Sequence, residues 1–145
     1  MTVASTLKIQ ANAQRGASAV EMALLLPLLV LMLDGVLEFG LILHNQSVLT
    51  SAANVAARAG IVQASPRLSN AQITTIATNY CSDRLMSWGP PDIPIVTVDQ
   101  AANSSYPYPL QVTVRYTVKG LFLGGLLAAF QSNPVLSATT VMYNE

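Results

Sequence analysis

Charge is what this chain has least of. Asp, Glu, Lys and Arg make up 10% of its 145 residues, against roughly 25% in an ordinary soluble domain. That poverty argues against a free cytosolic enzyme and fits a chain associated with a membrane. The formal net charge is +0 and no basic cluster occurs, so the electrostatic footprint of a nucleic-acid partner is missing. Cys81 is the only cysteine and His44 the only histidine. One cysteine excludes an internal disulfide and any CxxC metal or redox site. Cys81 reads as a small buried hydrophobe, with an intermolecular disulfide as the sharper alternative. His44 follows Asp34 by ten positions with no second histidine to complete a ligand set, so it reads as a solvated helix residue rather than a metal ligand. No Ser-His-Asp or Cys-His arrangement can be assembled, and no phosphate-binding glycine motif occurs. No catalytic residue, cofactor or metal is expected.

What the chain does have is a long apolar run with an unusual leader. Arg15-Gly16-Ala17-Ser18-Ala19-Val20-Glu21-Met22 opens it, and it continues to Leu43 with only Glu21, Asp34 and Glu38 as charges. A secretory signal places its small-residue cleavage site after the apolar stretch. Here the convincing small-residue site precedes it. A cut there leaves the apolar helix on the mature protein, with an acid near the new N-terminus. From Ala17 to Leu43 a helix spans roughly 40 Å, more than the ~30 Å hydrocarbon core. The uninterrupted centre, Met22 to Leu33, is no longer than a signal-peptide core, so a spanning helix requires the extension through Asp34 to Leu43. Asp34 and Glu38 share a face near its far end, able to reach the interface or face a partner, since a centrally buried carboxylate is costly. Pro27 removes one backbone donor and frees the Ala23 carbonyl, which membrane helices tolerate when neighbours repair the bond. Lys8 and Arg15 flank the near end and place it in the cytoplasm by the positive-inside bias.

Beyond Leu43 the pattern turns amphipathic. Val48, Ala52, Val55 and Ala59 form a stripe opposite Asn45, Asn54 and Arg58, with Gly60 as a C-cap. Ser69 can cap a second helix carrying Ile73, Ile76, Ala77, Tyr80 and Leu85, which ends before Trp88-Gly89-Pro90-Pro91. Ile93, Ile95 and Val96-Thr97-Val98 read as a strand, and Ala101 to Pro109 as a loop. Gln111 to Lys119 alternates Val112, Val114, Tyr116 and Val118 against polar neighbours, a half-buried strand. Gly120 to Phe130 reads as a packed loop or short helix, and Val135 to Tyr143 as a third strand. Trp88, Tyr106 and Tyr108 read as packing and turn anchors. Three strands after helices predict an antiparallel sheet in an α+β fold, covered by the amphipathic half of the first helix. The expected organisation is a leader at 1–16, a transmembrane helix at 17–43 and an extracytoplasmic head at 44–145.

Gly16-Ala-Ser-Ala-Val-Glu21-Met22-Ala-Leu-Leu-Leu-Pro27, then Glu38-Phe39-Gly40 and Ala52-Ala53-Asn54-Val55-Ala56-Ala57-Arg58, resembles the TadE-like minor pseudopilins of tight-adherence pilus systems. The likeness is dense from Gly16 to about Gly60 and looser beyond. It implies a pilin-like fold, with processing between Gly16 and Ala17 by a prepilin peptidase at the cytoplasmic face of a bacterial inner membrane. Glu21 becomes the fifth mature residue. Met22 stands where many relatives carry an aromatic, so N-methylation of Ala17 does not follow. The implied partners are other pilins and pseudopilins, the inner-membrane assembly platform and membrane lipid.

Each of these residues also has a plainer reading. Gly16 is otherwise a flexible residue before a helix. Glu21 is otherwise a solvated acid at a helix start, favoured by the positive helix end, rather than the partner of a neighbouring subunit's Ala17 amine. Pro27, Asp34 and Glu38 are candidates for contact with other pilin helices, or residues with no partner at all. The functional expectation is a minor pseudopilin in filament assembly or initiation. The alternative is a signal-anchored extracytoplasmic binding module that never enters a filament.

Overall fold

The computed structural model describes residues 3–62, 68–90, 92–100, 109–120 and 134–143, with side chains from Ser18 onward. Two helices precede three strands: α1 (Val3–Ile61), α2 (Asn70–Ser82), β1 (Ile95–Gln100), β2 (Pro109–Thr117) and β3 (Val135–Tyr143). The fold is α+β, as expected. The chain divides into two units, Met1–Val36 and Leu37–Glu145, and each is taken by itself.

The first unit is helical. The backbone is already helical at Val3 and continues through Gly16, within the stretch read as a leader. Leu7, Lys8, Gln10, Ala11, Ala13 and Gln14 are good helix formers, and one glycine costs only about 1 kcal/mol relative to alanine. Pro27 lies inside the helix without ending it. From Val20 to Leu33 the large apolar side chains are all exposed, Leu24, Leu29 and Met32 among the most. This helix is long and apolar enough to cross a membrane, and only 6% of its most apolar window is buried. The core helix of a water-soluble fold buries such residues.

The second unit is a three-stranded antiparallel sheet in the order β1-β2-β3 packed against helices. β2 is central: Val112 faces Val98 on one side and Thr140 on the other, and Val114 faces Val96 and Ala138. The period-two pattern puts Leu110, Val112, Val114 and Tyr116 in the core. Thr113 and Thr139 bond across the opposite face at 3.0 Å. Pro109 begins β2 rather than closing the preceding loop, a position where a missing N–H is tolerated. Ile93 lies outside β1 and is exposed. An Asp92–Lys119 ion pair at 2.7 Å joins the entry to β1 with the exit from β2. The Ala101–Tyr108 part of the expected loop and residues 121–133, which hold most of the Gly120–Phe130 stretch, fall outside the described residues, as do Tyr106 and Tyr108.

The helical side of the core corrects the expected stripe. Val48, Leu49, Ala52, Ala53, Ala56 and Ala57 are buried, while Val55 is 42% exposed and Asn45 is fully buried. The helix is therefore rotated about its axis from the arrangement read from its hydropathy. Alanines bury little area each, so they win this face by allowing close approach to the sheet. Gly60 completes the same stripe and is helical, not a C-cap. A Cβ there would collide with Leu110 Cδ2 and lie 2.8 Å from Ile73 Cδ1. Both neighbours are fully buried and have little room to yield.

α2 is started by Ser69, whose hydroxyl accepts from the Gln72 N–H while the Gln72 side chain accepts from the Ser69 N–H, a reciprocal cap. Ile73, Ala77 and Cys81 form its buried face. It stops at Ser82, short of the expected end before Trp88. The N–H groups of Arg84 and Leu85 both turn back to the Cys81 carbonyl, and the Met86 N–H is taken by Asn45 Oδ1 at 3.0 Å. Leu85 still packs on the core from outside the helix.

Gly60→Val should destabilise the head by roughly 1–3 kcal/mol through overpacking, read by denaturant unfolding of the full chain in detergent. Gly40→Ala, where an added Cβ meets nothing within 4 Å, should leave stability unchanged or raise it by up to about 1 kcal/mol. Equal effects from the two variants would refute the close seating of α1.

Candidate functional site

The residues singled out from the sequence lie along α1. Gly16 and Ala17 are in helical backbone. Glu21 follows Ala17 by one turn, about 6 Å along the axis, and its side chain is exposed among exposed Val20, Met22, Leu24 and Leu25. Pro27 sits six residues further on, about one and two-thirds turns, also in the exposed stretch. Asp34 and Glu38 differ from the rest: both are buried, and each is engaged in a polar or electrostatic interaction. The residues form a row along one helix rather than a convergent cluster. Among the described residues no group of three or more His, Cys, Asp and Glu gathers in ligand geometry.

Sequence reasoning missed the polar residues that tie α1 to the head. The Asn45 amide donates to the Met86 carbonyl at 2.8 Å and accepts from the Met86 N–H at 3.0 Å. Gln46 Nε2 donates to the Ser137 carbonyl at 3.0 Å. Asn54 Oδ1 accepts from the Thr140 hydroxyl at 3.0 Å. His44 Nε2 meets the Arg84 carbonyl at 3.1 Å, so the lone histidine serves as a surface tie between helix and turn. One signal was available: Asn45 lies four before Leu49 and seven before Ala52, on the small-residue face. An amide on such a face must find partners, since a buried unpaired one costs about 1–3 kcal/mol.

Residues 16–58 match the family model described as TadE-like protein. This is the family the sequence resembles, and the match supports involvement in a tight-adherence pilus system. The matched stretch begins at the expected processing position and ends inside α1. It covers the exposed apolar helix, which fits a membrane anchor, together with most of the buried face that seats on the sheet. No curated protein and no solved structure matches the chain.

Cys81 is fully buried in the core, which removes it from intermolecular disulfide chemistry in the folded state. Burial pushes its thiol up from the ordinary value, because the core disfavours the thiolate. Its folded value lies above its unfolded one. The stabilising contribution is therefore complete below the ordinary thiol range and is lost as pH rises through the folded value. A maleimide reagent should leave Cys81 unlabelled at neutral pH until denaturant is added. Cys81→Ala should lose this component of the alkaline destabilisation. Rapid labelling of the native protein would contradict the burial.

Proposed function

We propose that this chain is a minor pseudopilin: a membrane-inserted, non-catalytic subunit that takes part in building or initiating a tight-adherence type filament. The observation that carries the reading is the overlap of the family match at 16–58 with the exposed apolar part of α1, Val20 to Leu33. In this reading a prepilin peptidase cuts between Gly16 and Ala17 on the cytoplasmic side, held there by Lys8 and Arg15. Residues beyond Leu43 form the extracytoplasmic head. The partners are other pilins and pseudopilins and the inner-membrane platform.

Glu21 supplies the assembly logic. Cleavage creates an amine on Ala17, one helical turn from the Glu21 carboxylate. The two groups of one subunit are then available to the complementary groups of a neighbour. In an apolar bundle an unpaired ion costs several kcal/mol, and a matched pair recovers much of it. The pair consequently sets axial register more than it adds net adhesion. Two helices fit at the offset that joins amine to acid and are penalised at others.

Glu21→Ala should leave membrane insertion and head folding intact while lowering assembly. Glu21→Asp should cause partial loss, because its shorter reach misplaces the charge. The measurement is the yield of crosslinked partner pilins co-purified with each variant, normalised to membrane abundance. Wild-type yield from Glu21→Ala would reduce the acid to a solvated helix-start residue and favour a plain membrane-anchored binding module.

A further inference from the structure

The turn that follows α2 carries exposed apolar side chains where a water-facing turn has no use for them. Met86 is 55% exposed and Trp88 47% exposed. Their height along α1 is fixed by polar contacts. Asn45 holds the Met86 backbone through both its N–H and its carbonyl, and His44 holds the Arg84 carbonyl. The turn is therefore pinned at His44–Asn45, directly after the apolar run ends. Leu41 lies four residues earlier, about 6 Å toward the apolar end of the helix. It shares a cleft of about 410 Å³ with Leu85, Met86, Ser87, Trp88 and Gly89. Trp88 thus extends from the pinned level toward the apolar side of His44. The α1 surface there is apolar too, with Leu37, Phe39 and Leu43 exposed.

Charge has the complementary placement. Exposed Arg84 precedes this turn, its backbone fixed at the His44 level, and its guanidinium lies 4.3 Å from the Tyr80 ring centroid. Along the helix, moving away from the apolar run, the cleft beside Leu41 comes first and His44, tied to the Arg84 carbonyl, second. That order, apolar and then polar, follows the polarity of a bilayer from acyl chain to headgroup. Trp favours this boundary because it has an apolar body and one N–H donor, and a basic side chain beside it meets anionic headgroups.

We propose that the Leu85–Gly89 turn is a lipid-seated collar. Trp88 and Met86 enter the interfacial layer of the membrane that holds α1, and a phospholipid acyl chain occupies the cleft beside Leu41. The inference rests on the reading of α1 as a membrane helix. It adds a second attachment, which fixes how close the head stands to the bilayer before a subunit leaves it for a filament.

Trp88 is the only tryptophan, so its fluorescence reports on the collar alone, with Trp88→Phe as the blank. The full chain is reconstituted into vesicles of phosphatidylethanolamine and phosphatidylglycerol. Brominated phospholipids of shallow and deep label position are included, and iodide is supplied on both sides of the bilayer. The collar predicts blue-shifted emission and strong quenching by the shallow bromolipid, weaker by the deep one. Iodide quenching should fall several-fold relative to the denaturant-unfolded chain. Protein retained through alkaline carbonate washing but open to iodide and silent to bromolipid overturns the collar alone. Protection from iodide without bromolipid quenching also overturns it, since protein rather than lipid then covers the indole. Extraction by carbonate overturns both the collar and the membrane reading beneath it.

Discussion

The close seating of α1 on the sheet is the contact on which the rest of the head depends. Ala52, Ala53, Ala56 and Ala57 share one buried cluster with Leu110, Val112 and Val114 of β2 and Ile73 of α2, and Gly60 lies directly against Leu110 and Ile73. The alanines contribute little hydrophobic area individually. Their value is the short distance they permit, which lets the larger residues opposite make full van der Waals contact. β2 pairs with both other strands, so the helix that positions β2 positions the whole sheet. Side-chain ties to β3 run alongside this contact, from Gln46 to the Ser137 carbonyl and from the Thr140 hydroxyl to Asn54.

The same helix carries two different surfaces. From Val20 to Leu33 its large leucines, valines and methionines face outward, a surface suited to lipid or to the flanks of like helices. From Val48 onward its buried face is small and its exposed face polar. The change falls at His44 to Gln46, where the polar ties to the rest of the head begin. The scarcity of charge across the chain follows from this division. One long apolar segment cannot carry ions without partners. The few acids in the apolar stretch are correspondingly informative. Asp34 and Glu38 are buried and engaged, whereas Glu21 stays exposed on the helix.

The strands and the start of α2 were legible because their signals are local. The alternation of Val112, Val114 and Tyr116 gave β2 its buried face, though the strand runs Pro109–Thr117 rather than Gln111 to Lys119; Val135–Tyr143 matched β3, and Ser69 capped α2 as read. The helical side was harder, for physical reasons. Alanine is nearly neutral in hydropathy, so Val55 drew the expected stripe toward itself, although close approach decided the true one. Asn45 read as solvent-facing because its partner, Met86, is 41 residues away, and no local pattern reveals such a pair. The early end of α2 has the same cause. Along the candidate site, the stretch from Gly16 carried the family likeness, and the family match covers 16–58. The collar around Trp88 was not legible, since it exists only once α2 is folded back onto α1.

The central claim is that α1 is delivered to assembly as a helix with a newly exposed N-terminus. It is tested most directly by the intact mass and N-terminal sequence of the wild-type chain, recovered from the membranes of cells carrying a matching prepilin peptidase. The account predicts a mature protein that begins at Ala17, with Glu21 as its fifth residue and the apolar helix retained. A chain that keeps its leader, or one cut after the apolar run so that the helix is lost, would contradict it.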